Sequence, residues 1–181
     1  MTSNSETKLI EACLKGEPRS QRELYDTFAG KIYAVCFRYS KNEDDAKDLL
    51  QETFVKVFNN LKNYKNEGSF EGWIRKIAVN TAIRHYQKTI KAIDRHDIEV
   101  TNEAFVGADI ESTISAKEIT DVIAKLPDGY RIVFNMYAIE GYSHKEIGKE
   151  LDITESSSRS QLTRARKMLV GLLTRTEISN V

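Results

Sequence analysis

Cysteine is scarce in this chain. Only Cys13 and Cys36 occur among 181 residues, both sit among apolar neighbours, and neither belongs to a C-x-x-C spacing. That argues against a disulfide framework or a cysteine metal site, and buried, reduced thiols are expected instead. Histidine is equally sparse: His85, His96 and His144 are dispersed. No H-E-x-x-H run or glycine-rich phosphate loop appears, and no nucleophile has a recognisable base beside it, so no catalytic residue, cofactor or metal is expected. Long apolar runs are missing too. Met1 to Leu9 lacks the hydrophobic stretch of a signal peptide, and no segment approaches the roughly 18 to 20 apolar residues of a membrane span. A cytoplasmic protein without membrane insertion is the expectation. Net charge is also absent, since 27 basic side chains face 27 acidic ones. That balance conceals a strong segregation of sign along the sequence.

What is present is helical periodicity. The spacing predicts helices from Glu6 to Leu14 and from Pro18 to Tyr39, the second through Leu24, Phe28, Ile32, Val35, Cys36 and Tyr39. Pro18 suits a first helical turn. Asn42 is placed to cap a helix that opens with Glu43, Asp44 and Asp45 and buries Leu50, Phe54, Val57, Phe58 and Leu61. A polar loop from Asn63 to Ser69 precedes Phe70, Trp73, Ile74, Ile77 and Ile83, which resume the rhythm. From Gly72 to Ile93 that segment holds no carboxylate, while Arg75, Lys76, Arg84, Lys88 and Lys91 make it basic. Periodicity fades between about Thr89 and Ser112, where Asp94, Asp97, Glu99, Glu103, Asp109 and Glu111 describe an acidic, flexible linker. It returns from Thr113 to Lys125, and Pro127 opens a further helix ending at Gly141. No strand-like alternation competes. The expected fold is all-α, with helical domains over residues 1–90 and 113–181 joined by a linker over 91–112.

Near the C-terminus the pattern becomes specific. Ser143 and Glu146 form an S-x-x-E capping box, and Ile147 and Leu151 share one apolar face. Asp152-Ile153-Thr154 then makes a turn in which Ile153 can plug the angle between helices while Thr154 caps the next. From Ser156 to Thr176 the charged residues are Arg159, Arg164, Arg166, Lys167 and Arg175, with no carboxylate, and Leu162, Ala165 and Leu169 point inward. This is a helix-turn-helix with a basic reading helix, suited to duplex DNA.

Asp45-Ala-Lys-Asp-Leu-Leu-Gln-Glu-Thr-Phe-Val-Lys-Val-Phe58 resembles region 2.2 of the extracytoplasmic-function sigma factors, and Phe70-Glu-Gly-Trp-Ile-Arg-Lys-Ile-Ala-Val-Asn-Thr-Ala82 resembles regions 2.3 to 2.4. Leu126-Pro-Asp-Gly-Tyr-Arg131, Ile139 to Ser143 and Leu162 to Leu169 resemble region 4. Three motifs in that order implicate transcription initiation. The resemblance implies that Asp48, Gln51 and Glu52 meet the clamp helices of core RNA polymerase, with the flap as a further part of that partner. It implies that Asn80 reads an unstacked minus-ten base beside the Tyr64 to Ser69 loop, with Arg75, Lys76, Arg84 and Lys88 on phosphates. Arg159, Ser160, Thr163 and Arg164 match positions that face minus-thirty-five DNA, and an anti-sigma factor is a further implied partner.

By residue type alone the acidic face reads as a solvated surface, while Asn80 also suits a neutral surface position and the linker a plain tether. Trp73 reads as core. Three departures from the family pattern stand out. Ser158 occupies a usual Val position and Gln161 a frequent Arg position, both open to altering promoter choice. Gly148 occupies a common Ala position and should weaken its helix by up to about 1 kcal/mol unless close packing compensates. A lone repressor would need the helix-turn-helix but neither the acidic docking helix nor the Asn80 motif.

Overall fold

The computed structural model describes residues 4–93 and 116–179, and every regular element among them is helical. The order is α1 (Asn4–Leu14), α2 (Pro18–Tyr39), α3 (Glu43–Asn60), a 3-10 turn (Leu61–Asn63) and α4 (Phe70–Ile93). Then come α5 (Ala116–Ala124), α6 (Asp128–Phe134), a π-helical turn (Asn135–Ile139), α7 (His144–Leu151) and α8 (Glu155–Ser179). Contacts divide the chain into two compact units, Met1–Ala82 and Ile83–Val181, with the division falling inside α4. That helix runs to Ile93, past the point where the periodicity fades. Residues 94–115, which include most of the acidic segment, lie outside the described residues. No described helix is long and apolar enough to cross a membrane.

In the first unit the ends of the helices are set by side chains that satisfy free backbone groups. Pro18 stands in the first turn of α2. At its other end the Ser40 N–H donates to the Phe37 carbonyl at 3.1 Å, and the buried Ser40 hydroxyl donates to the Cys36 carbonyl at 2.9 Å. The Asn42 side chain accepts from the Asp45 N–H at 2.8 Å, and three carboxylates follow at the positive end of the α3 dipole. α2 packs on α1 and α3. The α4 start joins them through Phe70, which is fully buried with its ring edge-on to Phe28 at 5.4 Å. Burying a side chain of that size contributes about 3 kcal/mol. Leu50, Phe54, Val57 and Leu61 are buried as the spacing requires, whereas Phe58 and Trp73 are half-buried. Cys13 and Cys36 are both buried and free. Burial pushes the Cys36 thiol up to about 12, so it is not a thiolate at neutral pH.

In the second unit α8 packs against α5, α6 and α7. Pro127 is the cap residue before α6 rather than its first helical residue, and Gly141 ends the following segment with φ of +77°. Arg131 is a charged residue in the core, 4% exposed. Its guanidinium donates to the carbonyls of Ala124 at 3.0 Å and Leu126 at 2.9 Å, and to Asp128 Oδ1 at 2.5 Å. The Leu126-to-Arg131 motif is thus a buried cap: one arginine satisfies the open carbonyls where α5 ends and neutralises the acid that begins α6.

Candidate nucleic-acid interface

The helix-turn-helix is built by local chemistry. Ser143 Oγ accepts from the Glu146 N–H at 3.2 Å, while the Glu146 carboxylate accepts from the Ser143 N–H at 2.8 Å and hydroxyl at 2.7 Å. Asp152 takes the left-handed conformation at φ 57°, and Thr154 Oγ1 accepts from the Ser157 N–H at 3.0 Å to start α8. Ile147 and Leu151 from α7 and Leu162 and Ala165 from α8 are buried between the helices. Gly148 sits where the turn closes: its carbonyl accepts from the Ile153 N–H at 3.0 Å, and a Cβ there would lie 2.8 Å from the Ile153 carbonyl oxygen. Close packing therefore accounts for the glycine.

Arg159, Ser160, Thr163 and Arg164 are all exposed on α8. The Ser160 hydroxyl donates to the Ser157 carbonyl and the Thr163 hydroxyl to the Arg159 carbonyl, each at 3.0 Å, so both lean back onto their own helix. Arg159 pairs with Glu155 one turn earlier. The two departures open to altering promoter choice do not stand on that open face. Gln161 is half-buried, and Ser158 is fully buried with Oγ 2.9 Å from His144 Nδ1.

On α4, Lys76, Asn80, Arg84 and Lys88 are exposed at successive four-residue steps, a slowly winding stripe, with Arg75 half-buried beside it. Val79 and Thr81, which flank Asn80, are buried, so the amide projects from a firmly seated turn. The loop before α4 is closed by the Tyr64 hydroxyl, which donates to the Gly68 carbonyl at 3.1 Å. Trp73 lies outside the core, stacked on Phe70 at 5.6 Å and 17°, with Tyr64 at 5.4 Å. It is the outer leaf of an aromatic cluster at the foot of that loop.

On α3, Asp48 and Gln51 are exposed. Glu52 is half-buried, accepting from Lys56 Nζ at 2.7 Å, and the same ammonium donates to Thr81 Oγ1 on α4 at 3.3 Å. Sequence reasoning missed Lys56 as a link between these helices, and also the His144–Ser158 contact. Lys56 carries a signal in its i, i+4 spacing from Glu52. The His144–Ser158 pair carries none.

Two groups give the helix-turn-helix an acid sensitivity. Glu146 is held below its ordinary range by the Ser143 hydroxyl and then the Ser143 N–H. His144 is held below 6.5 by desolvation and by Arg159 and Arg166, against Glu155. A lowered folded pKa means that stability is present above the ordinary value and lost as pH falls through the folded one. Amide protection in α7 and α8 is expected to begin falling as pH drops below 6.5, less steeply in His144→Gln, with the Glu146 contribution lost only below 4.5. An identical slope in that variant would remove His144 from the account.

Sigma-70 region 2 matches residues 24–92 and Sigma-70, region 4 matches residues 116–169. The ECF RNA polymerase sigma factor SigE of Mycolicibacterium smegmatis is 30% identical over 161 residues, which are 81% of this chain and 59% of that protein. The ECF RNA polymerase sigma factor SigW of Bacillus subtilis is 29% identical over 181 residues, 90% of this chain and 93% of that one. Among solved structures, the sigma factor RpoE in complex with the anti-sigma factor NepR from Bartonella quintana has a TM-score of 0.49 at 18% identity, covering 84% of this chain and 96% of that one. With both sigma-70 regions matched in order, this chain belongs to the sigma-70 family as an extracytoplasmic-function RNA polymerase sigma factor.

Proposed function

We propose that residues 1–90 dock on core RNA polymerase and hold the opened minus-ten element, that residues 113–181 read the minus-thirty-five duplex, and that 91–112 tether the two. The observation that carries this is the exposed amide of Asn80 within a carboxylate-free basic stripe. An amide both donates and accepts, which suits the freed edge of a base, and the flanking cations suit the phosphates that must follow it. Holding a base outside the stack costs a few kcal/mol, which hydrogen bonds to its edge offset. Asp48 and Gln51 present a polar face for the clamp helices, and Glu52 joins them once a basic partner side chain competes with Lys56. Arg159 and Arg164 are the side chains best suited to grip guanine or phosphate in the upstream groove. The role asks no bond-breaking chemistry of this chain, and its place is the cytoplasm, where an anti-sigma factor would hold it in reserve.

The test is run-off transcription with purified core polymerase on a promoter library. The wild-type chain should confer start sites that core alone lacks. Asn80→Ala should lower open-complex formation about tenfold, in line with losing roughly 1 to 3 kcal/mol of base discrimination, with core affinity unchanged. Asp48→Arg with Glu52→Arg should instead weaken core binding. Start-site selection that is the same with and without the chain would end this reading.

A further inference from the structure

Four side chains on three elements form one continuous contact behind the reading helix. Ser158 of α8 is fully buried, and its hydroxyl meets His144 Nδ1 at 2.9 Å. The His144 ring, at the first position of α7, stacks on Tyr137 with centroids 4.5 Å apart and planes 20° from parallel. The Arg166 guanidinium of α8 stands 5.7 Å from the centre of the Tyr137 ring. Tyr137 belongs to the π-helical turn, where the Glu140 N–H reaches back five residues to the Asn135 carbonyl at 3.0 Å. A π turn shifts the face of every residue after it, and such turns recur where a side chain must be aimed. Here the aimed side chain is the one that supports His144.

The position of Ser158 matters because α8 is stiff. Ser158 precedes Arg159 directly and lies on the same inward side as Leu162 and Ala165, while Arg159 and Arg164 point out. Apolar contacts between helices are non-directional and tolerate small rotations. A hydrogen bond holds only within a few tenths of an ångström and a limited angle. An unmade bond at a buried hydroxyl is costly, so the helices are held to the crossing that makes it. Arg166, itself exposed, leans toward the Tyr137 ring from α8.

We infer that Ser158 and His144, backed by Tyr137 and Arg166, are positioning residues that fix the angle at which α8 offers Arg159 and Arg164 to upstream DNA, and so help decide which upstream sequence is chosen. This rests on the reading of α8 proposed above. Ser158 acts through its neighbours and touches no base.

The test uses the full chain with core polymerase, selecting from promoter duplexes randomised over both elements. Ser158→Ala and Ser158→Val should lower enrichment of the wild-type upstream sequence by about tenfold, the scale of one mismatched base pair. Core affinity and the minus-ten preference should not change, which separates positioning from general loss of fold. His144→Asn keeps an amide able to bond Ser158 and should stay closer to wild type than either Ser158 variant. The variants are compared where their circular dichroism matches the wild type. If neither Ser158 variant folds, His144→Phe, which keeps a ring for the stack and removes the bond, is expected to show the same loss. Unchanged upstream preference in the folded bond-removing variants would overturn the brace alone. A wild-type chain that enriches no upstream sequence would overturn the reading of α8 and the brace with it.

Discussion

Arg131→Ala is expected to destabilise the second unit by about 3 to 5 kcal/mol, the range for breaking a buried ion pair from one side. The guanidinium is 4% exposed and donates to two carbonyls at the end of α5 and to Asp128. Alanine leaves the carbonyls of Ala124 and Leu126 without that donor and strips a paired charge from a partly buried carboxylate. Lysine is a poor substitute, because a point ammonium cannot present the planar fork that reaches carbonyls and carboxylate together. Arg131→Met combined with Asp128→Leu should recover part of the loss by removing the acid that has lost the guanidinium, although the carbonyls remain open. Hydrogen exchange under increasing urea, read separately in α2 to α3 and in α6 to α8, checks this. Protection should collapse in the second set and hold in the first. A loss below about 1 kcal/mol would mean that water replaces the guanidinium at little cost.

That cap also marks where sequence reasoning stops. Pro18–Tyr39 is legible to both ends because a proline, a regular apolar stripe and the residues after Tyr39 are all local signals. The Asn42 cap, the Ser143–Glu146 box and the Gly141 stop are likewise short-range chemistry, and each stands where its spacing places it. The exposed stripe from Lys76 to Lys88 follows from counting in fours. What is not legible depends on reach across space. An arginine at 131 reads as surface charge until α5 is seen to end at its guanidinium. A π turn leaves no mark, since its apolar positions fit an ordinary helix almost as well. Glu52 reads as an open acid because the sequence does not show that Lys56 leans toward Thr81 as well as toward its own helix. Trp73 reads as core because aromatic residues at helical spacing usually are, whereas here Phe70 takes the interior and Trp73 covers it.

Gly148→Ala should destabilise the helix-turn-helix even though alanine is the better helix former. Propensity alone favours the change by about 1 kcal/mol. Against it stands a backbone contact: the added Cβ would lie 2.8 Å from the Ile153 carbonyl oxygen and 3.6 Å from the Glu155 nitrogen. Neither is the end of a flexible side chain, so the turn itself must move. Moving it stretches the bond from the Ile153 N–H to the Gly148 carbonyl and tilts the start of α8, the helix that carries Arg159. Overpacking of this kind costs about 1 to 3 kcal/mol, which exceeds the propensity gain over most of that range. The expected result is a lower melting temperature and weaker upstream DNA selection, with core docking through α3 intact. A chain that melts higher with alanine at 148 would show that the turn yields freely, and the glycine would then be no more than a weak point in α7.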